Sequence, residues 1–128
     1  MEIDTLVKNV IKVCYEVHNE LGHGFSEKVY EKSLGIALVH AHMKSEAQYP
    51  MTVYFRGIIV GEFFADLLVE ERLILELKTV TVLDSSHRSQ VLNYLKASRW
   101  QTGLLVNFGA SKMEIKRLYN NELIKTKA

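Results

Sequence analysis

The sequence predicts an α/β (mixed α+β sheet) protein with the element order α-α-β-β-β-α-β-β. Three features carry that prediction. Two segments with apolar residues three and four apart open the chain, and strand-forming runs fill residues 51–83. A helical segment then leads into two more strands. A meander followed by a crossover helix into a further strand calls for a sheet covered by helices.

The first helix follows from Ile3, Leu6, Val10, Cys14, Val17 and Leu21. It ends at Gly22-His23-Gly24, because glycine readily takes the left-handed conformation of a helix C-terminus. Ser26 is placed to N-cap a second helix with the stripe Tyr30, Leu34, Ala37, Leu38 and Ala41. Pro50, the only proline, follows a polar stretch and marks the change to strand. The first strand runs from Met51 through Thr52-Val53-Tyr54-Phe55, with Arg56-Gly57 as a tight turn. A long second strand covers Ile58 to Val69, bent at Gly61, and residues 70–72 turn the chain into a third, Leu73 to Leu83. Asp84-Ser85-Ser86 supplies capping residues for a helix from His87 to Arg99. The last strands are Gly103 to Phe108 and Met113 to Leu118, and the lysine-rich tail after Asn120 reads as frayed.

A chain of 128 residues fits one domain, 1–128, large enough to bury a core. Its single cysteine, Cys14, has no internal partner, so nothing points to an oxidising compartment. The N-terminus carries acids where a signal peptide would carry basic residues, and no apolar run approaches the roughly 20 residues that span a bilayer. The expectation is a cytoplasmic protein without a membrane partner. The net charge of +1 excludes a high-affinity nucleic-acid coating protein while leaving room for a local positive groove.

The third strand carries an anomaly. Side chains alternate along a strand, so Leu75 and Leu77 face one way while Glu76 and Lys78 face the other. The strand is apolar enough to be central, and buried charges need partners or a metal. With a turn at residues 70–72, Val69 faces Leu73 and Asp66 falls opposite Glu76, with Cβ atoms about 4.5–5.5 Å apart. Two bare carboxylates at that distance repel, and one must take up a proton. A divalent cation between them removes the conflict, and oxygen ligands suit Mg²⁺ or Mn²⁺. The alternative at this point is a Glu–Lys pair on a half-exposed strand with Asp66 ionised in solvent.

Five stretches in order then resemble a known family. Glu16-Val17-His18-Asn19-Glu20-Leu21-Gly22 precedes Gly24-Phe25-Ser26-Glu27-Lys28-Val29-Tyr30, a complete Gly-x-x-Glu-x-x-Tyr motif. Ala65-Asp66-Leu67-Leu68-Val69 and Leu75-Glu76-Leu77-Lys78 form a split acid motif in which Ala65 stands where proline is usual. Gln90 to Lys96 and Gly103 to Gly109 complete the set. Together they resemble the small GxxExxY proteins of the PD-(D/E)xK nuclease superfamily.

The resemblance implies a restriction-endonuclease-like αβββαβ core with an extra N-terminal helix and a C-terminal strand. It implies a Mg²⁺- or Mn²⁺-dependent phosphodiesterase acting on nucleic acid, DNA more than RNA. Asp66, Glu76 and Glu27 would then be metal ligands. Lys78 would position or polarise the attacking water, and Gln90 and Tyr94 would match the Gln-x-x-x-Tyr motif of RecB-like nucleases. Tyr30 and His87 join them as candidate substrate contacts.

Each of these residues also has a plain structural reading. An acid at Glu27 is favoured by the helix dipole alone, and Tyr30 shares a face with Leu34 and serves equally well as core. Gln90 and Tyr94 share one face of an ordinary amphipathic helix, with His87 solvated in its first turn. His18, His23, His40 and His42 show no zinc-like pairing, and Trp100 reads as a packing residue rather than a base-stacking one. The rival to an enzyme is a catalytically silent nuclease-fold module that binds nucleic acid or a protein. A homodimer is also open, since two copies would help so small a domain to grip a duplex.

Overall fold

The structure is a computed structural model that describes residues 1–98 and 100–121. Helices α1 (Ile3–Leu21) and α2 (Glu27–His40) lead into strands β1 (Ser45–Phe55), β2 (Ile58–Val69) and β3 (Leu73–Lys78). Helix α3 (Ser85–Ser98) then crosses over to β4 (Thr102–Asn107) and β5 (Glu114–Tyr119). The expected end of α3 at Arg99 and most of the lysine-rich tail lie outside the described residues. The five strands form one sheet in sequence order, antiparallel except for β3 and β4, which run parallel. The fold is therefore the expected α/β one, with the α3 crossover joining the one parallel pair. No helix among the described residues is long and apolar enough to cross a membrane.

Two apolar layers hold the sheet. Val10, Cys14 and Val17 of α1 with Leu34 and Leu38 of α2 pack on Leu75, Leu77, Leu104 and Val106. On the opposite face Val91, Tyr94 and Leu95 of α3 pack on Ile74, Ala65 and Leu105. Burial pushes the Cys14 thiol up to about 12, so it is a packing group.

Three boundaries differ from the sequence reading by two residues or more, and one expected capping bond is missing, each for a local reason. Ser26 occupies the N-cap of α2, but its side chain makes no capping bond; its carbonyl accepts from Val29 N–H at 3.1 Å instead. Strand β1 begins at Ser45, not Met51, and runs through Pro50, which pairs with Phe64. It is an edge strand, where proline forfeits no ladder bond and polar residues stay wet.

Strand β3 ends at Lys78, five residues before the expected Leu83. Asn107 captures the chain as it leaves: Val80 N–H donates to its Oδ1 at 3.0 Å, and its Nδ2 donates to the Val80 carbonyl at 2.9 Å. Helix α3 starts at Ser85 because Asp84 Oδ1 accepts from the N–H and hydroxyl of Ser86. Those bonds hold the Asp84 carboxyl below the usual range.

The turn between β2 and β3 has no glycine, yet Glu70 and Glu71 adopt φ of 52° and 56°. Left-handed non-glycine residues cost on the order of 1–2 kcal/mol each. Glu70 offsets this by donating its N–H to the Lys44 carbonyl at 2.9 Å and accepting Lys44 N–H on Oε2 at 2.8 Å. The result is the expected register, Val69 opposite Leu73.

Candidate active site

The β2–β3 ladder stops at Leu67 and Leu75, one step before Asp66 and Glu76. Beyond it the carboxylates replace the ladder. Asp66 N–H donates to Glu76 Oε1 at 3.1 Å, and Leu77 N–H donates to Asp66 Oδ2 at 2.7 Å. Strand β2 also changes layers here: Leu67 packs under α1 and α2, whereas Ala65, two residues earlier, packs under α3. Opposite Asp66 on β1, Gln48 sits at φ 52°. A regular pleat would keep Ala65 and Leu67 on one face; the irregularity at Gln48 and Asp66 breaks it.

The sequence therefore brings Asp66 and Glu76 together as its register requires, and Glu76 is 4% exposed. Burial, and then the Asp66 charge, push the Glu76 carboxyl up to about 8, against partial relief from Asp66 N–H and Lys78. Asp66 is raised as well, mainly by burial and next by Glu31, with Leu77 N–H, Gln48 and Lys78 opposing. Glu27 is raised by desolvation first, with Lys78 opposing and Asp66 adding to the rise. One lysine thus faces a surplus of carboxylates.

Asp66 opens onto a cleft of about 350 Å³ that Ser26, Glu27, Lys28, Glu31 and Gln48 also line. Two of these residues play a part that sequence reasoning missed. Glu31 is buried and binds Lys28 Nζ at 2.6 Å and Gln48 Nε2 at 2.5 Å. The same Gln48 amide reaches Asp66 Oδ1 at 3.4 Å. Glu31 was visible in principle, four residues after Glu27 and so on the same helix face. Nothing in the sequence singles out Gln48.

The remaining candidates separate. Tyr30 is fully buried, stacked 4.6 Å from Phe108, and its hydroxyl donates to the Gly22 carbonyl at 2.6 Å. It holds the α1–α2 junction and presents no surface to a substrate, which corrects its assignment as a contact. Tyr94 is 6% exposed and accepts from Gln90 Nε2 at 3.0 Å. Burial and then the Glu76 charge raise its hydroxyl, so it stays protonated beside the acids. Gln90 is half-buried on the turn before it. His87 is half-buried in the first turn of α3 and accepts Asp84 N–H on Nδ1 at 3.0 Å.

Among the described residues, no three His, Cys, Asp or Glu side chains form a ready-made metal cluster. The donor chemistry nonetheless fits a hard divalent ion. Two carboxylates from adjacent strands are each anchored through one oxygen by a backbone N–H, and Asp66 Oδ1 holds only the longer Gln48 bond. Burial first, and neighbouring carboxylates second, raise their affinity for protons, and a bound cation would favour the ionised forms.

Among curated proteins none matches the chain. The crystal structure of SSO0001 resembles it with a TM-score of 0.56 at 15% identity, over 78% of this chain and 55% of that one. That likeness bears on the fold alone, and the chain spans little more than half of that protein. The sequence pattern of the PD-(D/E)XK nuclease superfamily matches residues 4–118, a span that includes both anchored carboxylates, Lys78 and the α3 helix. With nearly its whole length matched, the chain belongs to the PD-(D/E)XK nuclease superfamily.

Proposed function

We propose that this protein is a Mg²⁺- or Mn²⁺-dependent nuclease that hydrolyses phosphodiester bonds, DNA in preference to RNA. Within the superfamily we group it with the GxxExxY proteins on Gly24, Glu27 and Tyr30. The observation that carries the reading is the mutual anchoring of Asp66 and Glu76 beside Lys78. Asp66 and Glu76 would hold the ion, with Glu27 joining from the cleft mouth. When bound, the ion supplies an acidified water and neutralises charge on the phosphate.

The protein's own groups prepare that chemistry. The N–H groups of Leu77 and Asp66 fix the two carboxylates before any ligand arrives. Gln48 ties Asp66 to the buried Glu31 and so links the α2 wall to the sheet. Lys78 orients the nucleophile and offsets charge developing on the phosphate oxygens. Gln90, which donates to Tyr94, and His87 would meet the substrate from α3. The lone, buried Cys14 suits a reducing compartment such as the cytoplasm.

Incubation with Mg²⁺ or Mn²⁺ and a panel of single- and double-stranded DNA and RNA tests the reading. The Lys78→Met variant is expected to cut about 10²–10³-fold more slowly while melting as the wild type does. Absence of cleavage across the panel, or a Lys78→Met variant of full activity, refutes it. The net charge of +1 favours one rival, a silent module that binds without turnover. Such a protein would bind oligonucleotides and leave them intact.

A further inference from the structure

The β1–β2 hairpin reaches beyond the sheet. Strand β2 pairs with β1 from Ile58 to Val69 but with β3 only from Leu67 to Val69, so residues 58–65 belong to a two-stranded ribbon. Such a ribbon is marginal in water unless a further layer covers it. Helix α3 covers part of one face, where Phe63 lies 5.6 Å from Tyr94. The rest is bare: Tyr54, Phe55, Ile58, Ile59, Val60 and Phe64 are each 51–68% exposed. Neighbours along a strand point to opposite faces, so Ile58-Ile59 and Phe63-Phe64 make both faces apolar.

We propose that this hairpin is a dimerisation arm, and that residues 53–64 of two copies of the chain pack on each other about a two-fold axis. Three observations select a second copy. Alternation and cross-strand pairing put Phe55, Ile58, Val60 and Phe64 on the face away from α3. Side chains of this size at that exposure leave on the order of 100 Å² each, so that face offers roughly 400 Å² per copy before the free β1 edge is added. A standard interface buries about 800 Å² per partner. Between Pro50 and Ala65 the only charges are Arg56 and Glu62, one of each sign. A patch with no net charge meets its own copy without repulsion, as a two-fold contact requires, whereas a phosphate backbone would need a basic surface. The outer half of β1 is also a free sheet edge, ready to pair with another strand. Contiguous apolar surface on this scale marks an interaction site.

Sedimentation equilibrium of the full chain between 1 and 100 µM, in the absence of metal, is the test; these concentrations are chosen on the order of common interface affinities. The expected result is a mass twice the 14.7 kDa of one chain. In the doubly substituted Ile58→Glu, Val60→Glu chain, self-association should weaken at least ~100-fold. Both positions are solvent-facing in one copy, so its circular dichroism and melting as a monomer should persist. An Arg56→Cys chain provides a second measurement, with disulfide-linked dimers expected on mild oxidation because the turns of two arms meet.

A wild-type mass of one chain throughout overturns the proposal. So does a folded double variant that stays dimeric, which would place the contact elsewhere. A monomer that binds neutral phosphatidylcholine vesicles or oligothymidine through the arm would give the surface to a membrane or to nucleic acid. These outcomes do not depend on cleavage, so the arm and the nuclease reading stand or fall separately.

Discussion

A Gly109→Ala chain should lose about 3 kcal/mol or more of stability, read as a fall in the urea midpoint at unchanged slope. A Cβ added at Gly109 would lie 2.4 Å from the Thr79 carbonyl carbon, 2.5 Å from Val80 N and 2.6 Å from Val80 O. These are backbone atoms and cannot rotate aside. The segment they belong to is also clamped by Asn107, which is wholly buried and accepts from Gly109 N–H at 2.9 Å as well as from Val80 N–H. Relief of the clash must therefore tear the Thr79–Val80 chain off its clamp or shift β4. Phe108 N–H donates to the Lys78 carbonyl at 2.8 Å, so the disturbance reaches the site lysine as well. Loss of less than about 1 kcal/mol would show that the close approach of these two segments is not a fixed part of the fold.

The second large effect is a pH dependence of opposite sign to the usual carboxylate pattern. Most native carboxylates bind protons less tightly than in the unfolded chain, and stability falls in acid. Glu76 titrates near 8 in the folded protein against an ordinary 4.5. The folded state therefore binds more protons across that interval. Its contribution is fully present below about 4.5 and is lost as pH rises through about 8, with a slope approaching 1.4 kcal/mol per pH unit, roughly one proton's worth. Asp66 and Glu27 are shifted upward too and add to the same trend.

Urea midpoints of the metal-free protein should thus drop between pH 5 and 8, and Glu76→Gln should flatten that drop. Saturating Mg²⁺ should flatten it too, because an ion favours the ionised pair. A wild-type midpoint that climbs over this range, or a Gln variant with an equal slope, would contradict the origin assigned here.

Much of the site could be read from residue order because strand geometry is strict. Once the chain turns at residues 70–72, alternation puts Asp66 beside Glu76 and sends Leu75 and Leu77 to the opposite layer, as the structure has them. The two-residue Arg56-Gly57 turn was equally plain, since φ of 50° and 80° suits a tight hairpin. What stayed hidden depends on contacts between distant segments. Asn107, which lies beyond the α3 crossover, ends β3 early through its bonds to Val80, and Gly109 leaves room for that close approach. Tyr30 sits in a motif with Glu27 but points into the core, and a motif does not say which of its members face the cleft. Gln48 acquires its place from a left-handed backbone inside an edge strand, against local preference, where Glu31 and Asp66 both reach it.

On the proposed function, Asp66 and Glu76 together seat a divalent cation that competes with a proton. Calorimetric titration of Mn²⁺ at pH 7, repeated in buffers of different ionisation enthalpy, measures ions bound and protons released at once. The expected result is saturable binding with release of about one proton per chain, both lost in Asp66→Asn. Saturable binding without proton release, binding that survives Asp66→Asn unchanged, or no saturable heat at all would contradict it.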